Sequence, residues 1–127
     1  MNISVKIRHI HMSRRLAPCP TCGLLSKRHS NAHRRLREIG ITCPTVVAVT
    51  YSKHYCERCK KYFSVDMRYL APSTGRYTDR VRRTAVSMVI KKALTLEKAA
   101  SQMEQQYHVH IPLSTLHDWI MAELTAA

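Results

Sequence analysis

Cys19-Pro20-Thr21-Cys22-Gly23 and Cys56-Glu57-Arg58-Cys59-Lys60 form two C-x-x-C pairs, and no other feature constrains the fold as strongly. Two intervening residues let a tight turn aim both sulfurs at one point, about 2.3 Å from a zinc ion. Two such turns placed face to face complete a tetrahedral shell with no open position. Gly23 supplies the permissive backbone that favours such a turn just after its second cysteine. Lys60 holds the same place in the second turn. A zinc ion with four thiolates carries a net charge of about −2, which Arg58, Lys60 and Lys61 would help stabilise. The expected ligands of one structural Zn2+ are therefore Cys19, Cys22, Cys56 and Cys59.

The 33 residues between the pairs are more than paired zinc turns usually leave. The β-rich run Thr45–Tyr51 and the segment Tyr62–Val65 suit an antiparallel ribbon with a cysteine turn at one end. A rubredoxin-type iron site uses similar pairs and stays open as the alternative, although the charge is odd for an electron carrier. A redox dithiol would sit beside a strand–helix–strand unit, and none is visible. Cys43 reads as a small buried hydrophobe. His29 and His33 have the spacing of a helical metal pair, but the stretch around them is strongly basic. They, and His9 and His11, read as solvated or phosphate-facing.

The 127 residues suffice for one compact domain or two very small ones, and 45% hydrophobic content marks a chain that folds. Twenty-one Lys and Arg against 8 Asp and Glu give a formal charge of +13. Such a surplus brings an isolated small-molecule enzyme nothing obvious and attracts polyanions: nucleic acid, expected as double-stranded DNA, with an anionic membrane surface as the weaker rival. No apolar stretch approaches the roughly 18 residues of a membrane span, and the cationic N-terminus lacks the apolar core of a secretory signal. A cytoplasmic, nucleoid-associated location is expected, with thiols kept reduced.

Composition divides the chain into 1–17, a basic arm or short strand; 18–66, the zinc ribbon; 67–77, a linker; and 78–127, three helices. The expected fold class is small α+β. Thr78 caps a helix predicted to run to about Leu94, with Val81, Ala85, Met88 and Val89 inward. Thr95 caps a second, Leu96 to about Tyr107, with Leu96, Ala99, Ala100 and Met103 inward. Pro112 opens a third, with Leu113, Leu116, Trp119 or Ile120, and Leu124 at core spacing. Two short helices, a tight connection and a third opening on Ser114-Thr115 make a helix-turn-helix pattern. Phosphate contacts are expected from Arg14, Arg15, Lys27, Arg28, Arg34, Arg35, Arg80, Arg82 and Arg83. Base contacts are expected from Ser114, Thr115 and His117, with Asp118 beside them. Residues 112–127 contain no Lys or Arg, so the cations must come from elsewhere.

Cys19-Pro-Thr-Cys22-Gly23, then Ser26, His29-Ser30 and Arg34–Glu38, then the β-rich run into Tyr55-Cys56-x-x-Cys59-Lys60-x-x-Phe63, resembles the N-terminal zinc ribbon of bacterial ISL-type insertion-sequence transposases. Leu96–Ile120 is similar to the helix-turn-helix that follows it in those enzymes. The resemblance implies binding to the terminal repeats of a mobile element. It also implies a ribonuclease-H-type catalytic domain with Asp/Asp/Glu metal ligands. The eight acids here show no such arrangement, so the expectation is a DNA-binding chain that is not itself an enzyme. A homodimer reading paired half-sites is compatible with it. The alternatives are a protein-interaction module, a zinc-ribbon transcription regulator and an RNA-associated protein; for the last, the sequence shows no aromatic platform for stacking bases.

Overall fold

The computed structural model describes residues 4–71 and 75–126. Its elements are strands β1 (Lys6–Met12), β2 (Leu16–Pro18), β3 (Leu25–Glu38), β4 (Thr45–Cys56) and β5 (Lys61–Ser64). Helices α1 (Asp79–Ile90), α2 (Leu96–Tyr107) and α3 (Leu113–Thr125) follow. Five strands and three helices make a small mixed α+β structure. Ile3 and residues 72–74 of the expected linker lie outside the described residues.

The sheet runs β1-β4-β3-β2, with β5 pairing the distal half of β4. Three pairings are antiparallel. The fourth is not: β1 lies parallel to β4, Lys6 opposite Thr45 and Met12 opposite Tyr51. The N-terminal segment is thus a strand of a mixed sheet and not a free arm, because Ile10 and Met12 join a shared apolar layer. That layer is Leu36, Val47, Val49, Leu70 and Ala71, with Tyr51 and Met67 against it. The basic stretch around His29 and His33 is strand, so their helical spacing is not realised.

The expected linker is also packed where it is described. Leu70 and Ala71 are buried against the sheet, and Tyr77 bridges to Arg37. Thr78 caps α1 as anticipated, accepting from Val81 N. The helix ends at Ile90, short of Leu94, because Ala93 takes a left-handed conformation (φ 56°). Thr95 caps α2 through Lys98 N, and α2 ends on left-handed His108. Val81, Ala85, Met88, Ala99, Met103, Val109, Ile111, Leu116 and Ile120 form the helical core. Leu113 and Leu124, expected in that core, are 45% and 60% exposed.

The two cores are joined at the end of β3. Glu38 is 3% exposed, and its Oε1 accepts from the Thr78 hydroxyl at 2.8 Å and from Ile39 N at 2.8 Å. Its Oε2 lies 3.5 Å from Arg8 Nη2 on β1. One carboxylate therefore ties the parallel edge strand to the cap of the first helix. Gly40 N donates to Tyr107 O at 2.8 Å, and a Cβ on Gly40 would collide with the Cys43 carbonyl. Replacing Glu38 with Leu should lower unfolding free energy by about 1–3 kcal/mol, since it strands the Thr78 hydroxyl. Urea denaturation followed by circular dichroism checks this, and an unchanged midpoint would refute the role assigned to Glu38.

Candidate metal centre and the basic surface

The two cysteine turns sit at one end of the sheet, the first between β2 and β3 and the second between β4 and β5. They have the same backbone: Gly23 N donates to Cys19 O at 2.8 Å, and Lys60 N donates to Cys56 O at 2.7 Å. Gly23 and Lys60 are both left-handed, at φ 78° and 54°. The equivalence of Lys60 to Gly23, suggested by spacing, is thus a shared conformation. In a lysine it costs about 1–2 kcal/mol.

The four sulfurs all lie within 4.8 Å of one another. Cys19 Sγ is 3.9 Å from Cys59 Sγ, and Cys22 Sγ is 3.5 Å from Cys56 Sγ. A tetrahedral ion with bonds of about 2.3 Å would set its sulfurs about 3.8 Å apart, so the spacing already matches a four-thiolate shell. Cys19 and Cys56 are buried, and Cys22 and Cys59 are half-buried. Cys43 stands apart, beside Thr42. None of the histidines belongs to a group able to hold a metal ion among the described residues.

The electrostatics of the cluster suit a cation. The amides of Cys22 and Thr21 point at Cys19 and pull its thiol from the ordinary 9.0 down to about 6. The Cys59 amide, 3.4 Å from Cys56 Sγ, lowers Cys56 likewise. The sulfur of Cys22, with burial and the remaining sulfurs, pushes Cys59 up to about 12. The backbone favours thiolates, whereas their mutual repulsion forbids all four at once without a positive ion between them.

Behind the cluster lies a network that spacing did not reveal. His54, fully buried two residues before Cys56, donates from Nδ1 to Ser26 O at 2.9 Å. Its Nε2 pairs with Ser52 Oγ at 2.8 Å, and Ser52 Oγ accepts from Arg14 N at 3.0 Å. The ring stacks on Phe63 with centroids 5.4 Å apart. Ser52 and His54 together crosslink β3, β4 and the segment before β2, and the polar-apolar alternation of β4 was the available hint.

The expected DNA-contacting residues separate into groups. Arg35 is exposed on the sheet face opposite Leu36, in a row with Ala48 and His9; the next row is His33, Thr50 and His11. Arg37 belongs to this face too, opposite Val46. Its guanidinium lies over the Tyr77 ring at 5.8 Å and reaches His110 O at 3.5 Å in the α2–α3 connection. Tyr77 Oη donates to the same carbonyl at 3.0 Å. Ser114 and His117 are exposed on the first turns of α3, and Thr115 is half-buried.

Arg34 lies on the side of the apolar layer and donates to Gly75 O at 3.2 Å. Arg28 is bound to Ser13 Oγ at 2.9 Å, and Arg83 pairs with Asp79 at 2.8 Å. Arg14, Arg15 and Lys27 are exposed on the cysteine-bearing end. Arg80 and half-buried Arg82 lie on α1. A shallow cleft of about 370 Å³ between α1 and α2 joins Arg80 to Thr84, Ser87, Lys92 and Tyr107. Lys92 was not anticipated; only the fold brings it beside Arg80.

No protein-family model matches the chain, and no curated protein or solved structure matches it. What the geometry defines is a small mixed α+β protein with a four-cysteine cluster able to hold a metal ion. Among the described residues no helix is long and apolar enough to cross a membrane.

Cys22→Ser should abolish metal retention and unfold the sheet end, because metal binding and folding are coupled at such sites. Metal analysis after gel filtration checks this, and full retention of one ion would refute the four-cysteine shell. The depressed Cys19 value sets the sign of that residue's own contribution to stability. Its stabilisation is complete above about pH 9 and is lost as pH falls through about 6. Metal binding needs deprotonated thiols, so metal release into a chromogenic chelator should rise on acidification; release that rose towards alkaline pH would contradict it.

Proposed function

We propose that this chain is a zinc-stabilised module that binds double-stranded DNA, of the kind found at the N-terminus of ISL-type transposases. In this reading the four cysteines hold one structural zinc in a closed shell, with no position left for substrate. The strands around it act as a zinc ribbon, and α2 and α3 act as a helix-turn-helix. The observation that carries the reading is the junction at Arg37. There Arg37, on the sheet face bearing Arg35, His33, His9 and His11, reaches the His110 carbonyl in the connection that precedes Ser114 and His117 on α3. Arg35 and Arg37 on one side, and Ser114 and His117 with the acid Asp118 beside them on the other, suit a duplex, whose phosphates position the protein while base edges in the major groove are read. Arg80 and Lys92 in the α1–α2 cleft add a second phosphate contact. The resemblance supplies the target: the terminal repeats of a mobile element, without catalysis by this chain.

A second reading rests on α3. Leu113, Met121 and Leu124 are 45%, 46% and 60% exposed on a helix with no Lys or Arg, as in a protein-interaction or homodimer surface. Sedimentation separates the two readings, because only the second expects concentration-dependent association without DNA.

With about six to ten phosphates neutralised, duplex affinity should fall roughly 10³–10⁵-fold between about 50 and 200 mM salt. A flat salt response in fluorescence anisotropy would overturn the reading. Arg35→Ala combined with Arg80→Ala should weaken all duplexes alike. Ser114→Ala or His117→Ala should reorder the sequences selected from a random duplex pool. If the selected order stayed the same, α3 would not be the reading helix.

A further inference from the structure

The sheet has a second exposed face near the cysteine end, on the side away from Arg35 and Arg37. Side chains alternate along a strand, so Lys53 and Tyr55 on β4 share a side with Tyr51 and the apolar layer. Tyr62 on β5 lies directly opposite Tyr55. On β3 the register shifts between Arg28 and Ser30, which turns His29 towards Tyr62. The result is a cluster of three rings. Tyr55 and Tyr62 have centroids 4.8 Å apart, and His29 meets Tyr62 edge-on at 5.1 Å. Tyr62 is 64% exposed, although a tyrosine would ordinarily bury its ring.

The strands that carry the rings also bring lysines to them, while Glu57 lies in the β4–β5 turn and Asp66 follows β5. Lys53 flanks Tyr55 on β4, and Lys27 lies on the same side of β3, since Arg28 faces with His54. β4 and β5 contain no acid, and Glu38, the acid of β3, is buried at the far end of that strand. An open aromatic surface bordered by lysines matches one ligand chemistry: a nucleobase with a free face, on a phosphate backbone the lysines can follow. A paired duplex cannot use it, because its base faces are occupied by their neighbours.

We propose that the His29–Tyr55–Tyr62 face binds single-stranded DNA by stacking an unpaired base on Tyr62, with Lys27 and Lys53 holding the flanking phosphates. The site lies on the opposite side of the sheet from the duplex surface proposed above and does not depend on that reading. Where the duplex reading also holds, the molecule would hold duplex and unpaired DNA on two faces, as at a DNA end where the strands have separated.

The test uses the zinc-loaded full chain and a short thymidine oligonucleotide carrying one 2-aminopurine, whose fluorescence falls when it stacks. Saturation should quench the probe. Tyr62→Ala should weaken single-strand binding by about fivefold to a hundredfold and remove the quench. Tyr62→Phe should retain both, because the face and not the hydroxyl is used. Zinc content and duplex affinity should be unchanged in both variants. Absence of quenching, an unchanged affinity for Tyr62→Ala, or an equal loss on duplex DNA would each overturn the proposal. Tighter binding of an RNA of the same sequence would reassign the face to RNA.

Discussion

Four sulfurs held within 4.8 Å cannot all be ionised unless a cation lies among them, and the end of the sheet that carries both cysteine turns is built around them. Each cysteine turn closes a separate pair of strands, β2 with β3 and β4 with β5. An ion shared by the turns therefore fastens two hairpin ends whose own apolar contacts are slight. The amides that lower Cys19 and Cys56 prepare the sulfurs as ligands before any metal arrives. The His54–Ser52–Ser26 network then continues this polar fastening into the sheet, where a small domain lacks the area to rely on hydrophobic burial alone.

The sheet and the helices are not independent beads on a linker. Glu38 accepts from Thr78, Gly40 reaches Tyr107, and Tyr77 and Arg37 converge on the His110 carbonyl. These contacts fix the α2–α3 connection against the end of β3. On the proposed duplex reading, a surface that spans both parts could present its charges and α3 in one register. That is the condition under which phosphate contacts orient base contacts.

Much of this was legible in the residues. The cysteine spacing named the cluster, because C-x-x-C geometry is local. The limits of α2 followed from Thr95 and the apolar positions at helical intervals, and Thr78 marked the start of α1. What escaped was set by contacts between distant segments. Parallel pairing of β1 with β4 depends on residues far apart in sequence, and no local pattern distinguishes it from an extended arm. The 67–77 segment carries turn residues, which hid the burial of Leu70 and Ala71. Arg34 looked like its neighbour Arg35, but strand alternation sends the two to opposite faces. The rings of His29, Tyr55 and Tyr62 come from three strands, so the sequence showed no platform where the fold builds one.

The parallel edge strand also imposes an order on synthesis. Lys6–Met12 leave the ribosome well before their partners at Thr45–Tyr51, and the apolar cover from Leu70 and Ala71 comes later still. Long-range pairing of this kind is slow to form and leaves an unpaired edge in the meantime. The first cysteine pair is likewise exposed before the second exists. A nascent chain thus spends an interval with half a metal site and an open strand, and the basic residues concentrated in its first 40 positions, nine against one acid, repel other copies during that time.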